Sequence, residues 1–166
     1  MSIVTLPHFG RLDSTSLEEY YDVDINFNNS QIQIDLNFEN KTIDPKRLET
    51  AKSFIENIRI HDLNNKGYIN TDYNDKEGDT VKFYLQHHLE ELGKEELSDL
   101  IELNSKGSEH EKQLLKKLHL VRVGIYPDGE SQFAIFDYSI GTEITNQLVV
   151  IFTDENGNLD YMTMES

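Results

Sequence analysis

The sequence predicts an α+β fold: a largely antiparallel sheet from an N-terminal hairpin and a C-terminal four-strand meander, with a central block of helices packed on one face. Three observations carry this expectation. Alternation of period two occupies residues 21–38, helical spacing governs about 44–118, and short alternating or wholly apolar runs fill the rest. Strands gathered on either side of a helical block, rather than strict strand–helix alternation, mark the α+β pattern. The 166 residues are read as a single domain, 1–166.

The hairpin is the clearest local signal. Tyr21, Val23, Ile25 and Phe27 alternate with Asp22, Asp24 and Asn26, and beyond Asn28-Asn29-Ser30, Ile32, Ile34, Leu36 and Phe38 alternate with Gln33, Asp35 and Asn37. Each strand therefore has one apolar and one polar face. Two registers fit. A loop at Asn29-Ser30 sets Asp24 opposite Asp35, and a loop at Asn28-Asn29 sets Asp22 opposite Asp35. In either register two carboxylates face each other, an arrangement that costs a few tenths to about 1 kcal/mol. A basic side chain from a partner would relieve it, and so would one from elsewhere in the same molecule. Asp22, Asp24 and Asp35 are accordingly the candidate partner-binding residues.

Helical spacing then begins. Asp44-Pro45 offers an N-cap followed by proline at the first helical position, with Leu48, Ala51, Phe54, Ile55 and Ile58 behind it. Asn64 to Gly67 reads as a break. Asp79 is placed to cap a helix carrying Val81, Tyr84, Leu85, His88, Leu89 and Leu92 that ends near Gly93. Leu97, Leu100, Ile101 and Leu103 suggest a short helix, and Ser108 a cap for a last one with Leu114, Leu115 and Leu118. The polar stretch from Asn70 to Asp79 reads as a loop.

Strands return at Leu120. Val121, Val123 and Ile125 lead to the turn Pro127-Asp128-Gly129, and Gln132 to Tyr138 forms the next strand. Leu148 to Phe152 is apolar at every position and predicts a strand covered on both faces. Asn156-Gly157 marks a hairpin into Leu159–Met164.

Composition bounds the function. Acidic residues outnumber basic ones 31 to 15, a formal charge of −16, and no basic patch stands out. Such a field repels phosphate backbones, which argues against nucleic-acid binding, and keeps proteins monomeric or weakly associated. It also steers basic partners into contact. Cysteine is absent, which removes disulfides, thiolate metal sites and cysteine nucleophiles, and suits a reducing cytoplasm. No apolar run approaches the roughly 20 residues of a membrane span.

Chemical motifs are few. Asp62-Leu63-Asn64-Asn65-Lys66-Gly67-Tyr68-Ile69-Asn70 imitates the start of an EF-hand loop, but Lys66 stands where an oxygen ligand is needed and Tyr73 where a bidentate glutamate belongs. The motif is rejected, and no metal or cofactor is expected. Of the six histidines, His87 and His88 diverge on a helix, and His87 with Glu91 lacks a third ligand. His88 falls on the apolar stripe and reads as a core residue. No HExxH, GxSxG, P-loop or GxGxxG pattern occurs, so no catalytic residue is assigned. A hydrolase using His61 or His87 with a nearby carboxylate is the alternative reading, which requires the fold to bring such a pair within hydrogen-bond reach.

Leu6-Pro7-His8-Phe9-Gly10-Arg11-Leu12-Asp13, Ile34-Asp35-Leu36-Asn37-Phe38-Glu39, Asp154-Glu155-Asn156-Gly157-Asn158-Leu159 and the closing Glu165-Ser166 resemble an uncharacterised bacterial domain family of unknown function, over nearly the whole chain. At the level of class, the chain is also similar to the small acidic immunity proteins that neutralise bacterial toxins. That likeness implies a protein-binding role toward a basic partner and names no interface residues. The leading expectation is thus a soluble acidic protein-binding module.

Overall fold

The computed structural model describes residues 2–166. It opens with a small antiparallel hairpin, β1 (Ile3–Leu6) and β2 (Gly10–Asp13), followed by the long hairpin β3 (Tyr20–Phe27) and β4 (Ser30–Asn37). Five helices come next: α1 (Pro45–Glu56), α2 (Ile58–Asn74), α3 (Val81–Glu91), α4 (Lys94–Ser98) and α5 (Gly107–Leu115). The chain closes with β5 (His119–Ile125), β6 (Ala134–Ser139), β7 (Leu148–Thr153) and β8 (Leu159–Glu165).

β3 to β8 form one six-stranded sheet in sequence order. It is mixed, and this corrects the expectation of a largely antiparallel sheet: β4 and β5 run parallel, while the other neighbours are antiparallel. Parallel neighbours need a crossover, and the helical block supplies it between Asn37 and His119. The β1–β2 hairpin adds to the expected elements; its four-residue strands are too short for alternation to stand out.

The long hairpin adopts the Asn28-Asn29 register, with Asp22 opposite Asp35 and Phe27 opposite Ser30. Both turn residues have positive φ, 48° and 66°. Such a two-residue turn matches the twist of its strands, and asparagine tolerates that conformation best among residues with a Cβ.

Every helix contributes apolar residues to a single core against one face of the sheet. Leu48, Phe54, Ile69, Leu85, Leu97 and Leu114 join Ile32, Ile34, Leu36, Val123, Ile125, Phe136, Val149 and Ile151 there. Each such side chain, fully buried, contributes about 1.5–3 kcal/mol. Asp44 caps α1 as expected, accepting from the Lys46 amide at 3.0 Å. Other caps differ. Asp72, not Asp79, accepts from the Val81 amide at 2.8 Å, and α5 starts at Gly107 without a Ser108 cap.

Asn64–Gly67 is not a break. α2 runs through it, and the interruption lies at Asn57, between α1 and α2. Ile58, His61, Asp62, Asn65 and Ile69 are buried along one stripe of α2. Packing of that stripe outweighs the low helix propensity of two asparagines and a glycine.

Candidate functional site

The strand pairing builds a second sheet face opposite the helices. Directly paired residues share a face, so Asp22, Asp35, Gly124, Ile135, Phe152 and Tyr161 form one row across it. Asp24, Gln33, Arg122, Asp137, Val150 and Thr163 form the next. Among the described residues, none of these apolar side chains belongs to the core that the helices pack upon. Phe152 is instead covered by a stack with Tyr161, ring centroids 4.2 Å apart and 11° from parallel.

At the centre of this face lies an ion-pair cluster. Asp35 is fully buried, and Arg122, 30 % exposed, grips it with two hydrogen bonds: Nε to Oδ2 at 2.7 Å and Nη2 to Oδ1 at 2.8 Å. Nη1 reaches Asp137 at 3.4 Å, and the Asn37 side-chain amide donates to Asp35 at 2.7 Å. A bidentate arginine–carboxylate pair is both strong and geometrically selective. Burial opposes the charge on Arg122, but Asp35 outweighs it and holds the guanidinium protonated above its ordinary range. Burial raises the Asp137 carboxyl, and Arg122 pulls it back only in part. Gly124 leaves room for this arrangement, since a Cβ there would lie 2.6 Å from Arg122 Nη2.

The carboxylate that faces Asp22 is therefore neutralised from within, and Asp35 is withdrawn as a partner-binding residue. Asp22 and Asp24 are exposed on the rim of the same face. Sequence reasoning missed Arg122. The available signal was an arginine two residues before Gly124, the single charged residue between Leu120 and Ile125.

The histidines are differently placed. His88 is buried; its Nδ1 lies 2.7 Å from the Tyr84 carbonyl and its Nε2 2.8 Å from Thr145 Oγ1. A carbonyl only accepts, so Nδ1 carries the proton and Nε2 accepts from the threonine. His88 is the satisfied core residue that its apolar stripe implied. His61 stacks on Phe54 at 4.0 Å, and its buried Nδ1 has no hydrogen-bond partner. It borders a groove of about 520 Å³ shared with Glu49 and Glu155. Histidine rings among the described residues bond to the Tyr84 and Lys117 carbonyls and to Thr145, and not to a carboxylate. The pair that a His61 or His87 hydrolase requires is not formed.

Burial lowers the pKa of both His61 and His88 from the ordinary 6.5. A group whose folded pKa is depressed contributes stability that is present above the unfolded value and lost as pH falls through the folded one. The urea midpoint should therefore drop on acidification below pH 6.5, with both ring resonances titrating late. A midpoint flat down to about pH 5 would refute this assignment, because a neutral ring in the core must then charge at no cost.

Asp62, first residue of the rejected calcium motif, is buried in α2. It accepts from the Tyr138 hydroxyl at 2.7 Å and from Lys66 at 3.2 Å. Burial and that carboxylate push the Tyr138 phenol well above its ordinary range. Among the described residues, no three His, Asp or Glu side chains converge as metal ligands would. None of the described helices is long and apolar enough to cross a membrane. Comparison of the chain with protein-family models, with curated proteins and with solved structures returns no match.

Proposed function

We propose that this chain is a protein-binding module that docks a basic protein partner on the helix-free face of its sheet. One observation carries the reading: the residues of that face stay outside the core that the helices pack upon, and its charge is one-sided. Asp22, Asp24 and Glu165 are exposed on it, and Arg122 is the single lysine or arginine that β3–β8 place there, already engaged by Asp35 and Asp137. Tyr20 and Tyr161, about half exposed, add the aromatic surface that interfaces favour. Rim carboxylates of this kind mainly raise the association rate and the salt sensitivity of a complex. Immunity-like neutralisation of a basic toxin fits this chemistry, with Asp22 and Asp24 rather than Asp35 making contact.

The test is capture from the source cell at low and high salt. Three forms are compared: the wild-type chain, Asp22→Lys/Asp24→Lys, and Glu90→Lys/Glu91→Lys on α3 as a charge-matched control. A basic protein held by wild type and control, lost from the sheet variant and weakened by salt is the expected result. Retention by the sheet variant, or no basic protein from any form at low salt, would overturn the reading.

A further inference from the structure

We propose that the groove between α2 and α5 binds a free medium-chain fatty carboxylate, with the head group on its lysines and the tail along its floor. The groove encloses about 550 Å³, within the roughly 300–1,000 Å³ typical of small-ligand sites. Ile69 and Tyr73 from α2, with Leu115 and Leu118, make an apolar floor, and Lys66, Lys112 and Lys116 stand at the lips. Ile69 and Leu118 are buried and also belong to the core, so the floor is preformed.

Charge singles this groove out. Among the described residues no carboxylate lines it, although the chain carries −16 overall. The groove beside His61 is lined by Glu49 and Glu155, and three others carry at least two carboxylates each, such as Asp99 with Glu102 or Asp154 with Asp160. Lys66 lies 3.2 Å from Asp62, and Lys112 only 3.7 Å from Glu109 in an exposed pair of the weak kind. Lys116 makes no ion pair among the described residues. Lys116, with Lys112 only weakly paired, leaves positive charge at the mouth of a largely apolar floor, which is complementary to a single negative head on an aliphatic body. A large acidic partner fits less well, because Glu109 and Glu111 on α5 would face it; Glu111 already accepts from the Tyr73 hydroxyl at 3.3 Å.

The experiment is a titration of the full chain with sodium decanoate, followed by amide resonances. Saturable shifts confined to residues 66–74 and 112–118 are expected at millimolar ligand. Lys112→Gln/Lys116→Gln should weaken binding at least tenfold, while Lys41→Gln/Lys94→Gln should not. Octanoate, shorter by two methylenes, should bind about tenfold more weakly than decanoate. Unsaturable or scattered shifts would overturn the proposal, as would equal binding of decyltrimethylammonium or indifference to the Lys112 and Lys116 changes. A response to an acidic amphipathic peptide with none to decanoate would assign the groove to a protein segment and overturn it too.

Discussion

Replacing Arg122 with methionine should destabilise the fold by about 3–5 kcal/mol, the usual cost of removing one partner from a buried ion pair. Asp35 is fully buried, and Arg122 supplies two of its hydrogen bonds. Without the guanidinium, the carboxylate keeps only the Asn37 amide in an environment that disfavours charge. The reverse change, Asp35→Asn, should cost less, about 1–3 kcal/mol, because Arg122 is partly exposed and retains Asp137. Replacing both, Asp35→Val with Arg122→Met, should restore part of the stability, since Asp35 no longer leaves a buried charge, while the Asp137 carboxylate still loses Arg122. Urea denaturation of the three variants measures this directly. An Arg122→Met variant within about 1 kcal/mol of wild type would mean that the ion pair is not what neutralises Asp35.

The second large effect is expected at Gly157. Its φ is +81°, and a Cβ there would lie 2.5 Å from His61 Nδ1, whose ring is held by its stack on Phe54. Gly157→Ala therefore combines a left-handed conformation, about 1–2 kcal/mol for a residue with a Cβ, with overpacking against a fixed ring, about 1–3 kcal/mol. Gly10 is the control, because it has the same φ of +81° and nothing within 4 Å of its virtual Cβ. Gly10→Ala should show the conformational part alone. In a His61→Ala background the cost of Gly157→Ala should shrink toward that of Gly10→Ala, as a double-mutant cycle would report. Equal costs at the two glycines in the wild-type background would remove the His61 contact from the account.

Much of the fold is legible in local pattern. Alternation over residues 21–27 and 32–37 is realised in β3 and β4, and the carboxylate facing Asp35 is one of the two that the pattern allows. Asp44-Pro45 starts α1, and the apolar run at 148–152 is buried on both faces of β7 from Val149 onward, with Leu148 only half-buried. Asn156-Gly157 does join β7 to β8, although the loop is longer than two residues: Asp154 accepts from the amides of Asn156 and Asn158, and β7 meets β8 at Thr153–Leu159. The failures share a cause. Asn64–Gly67 is a poor helix former by propensity, yet tertiary burial of Asn65 and its neighbours keeps α2 intact. The Asp79 and Ser108 caps rest on adjacency in the chain, whereas Val81 is capped by Asp72 across a bend.

Which residues alternate, where helical spacing begins and which sign the surface carries are all written locally, because each depends on neighbours within a few positions. Three features are not. The parallel course of β4 beside β5, the sheet face left without helices and the meeting of Asp35 with Arg122 from 87 residues away belong to the packed chain. Alternation says that Asp35 sits on a polar face, but it does not say which strand lies beside it. That choice rests on how the whole helical block buries its apolar stripes, which no single segment can do alone.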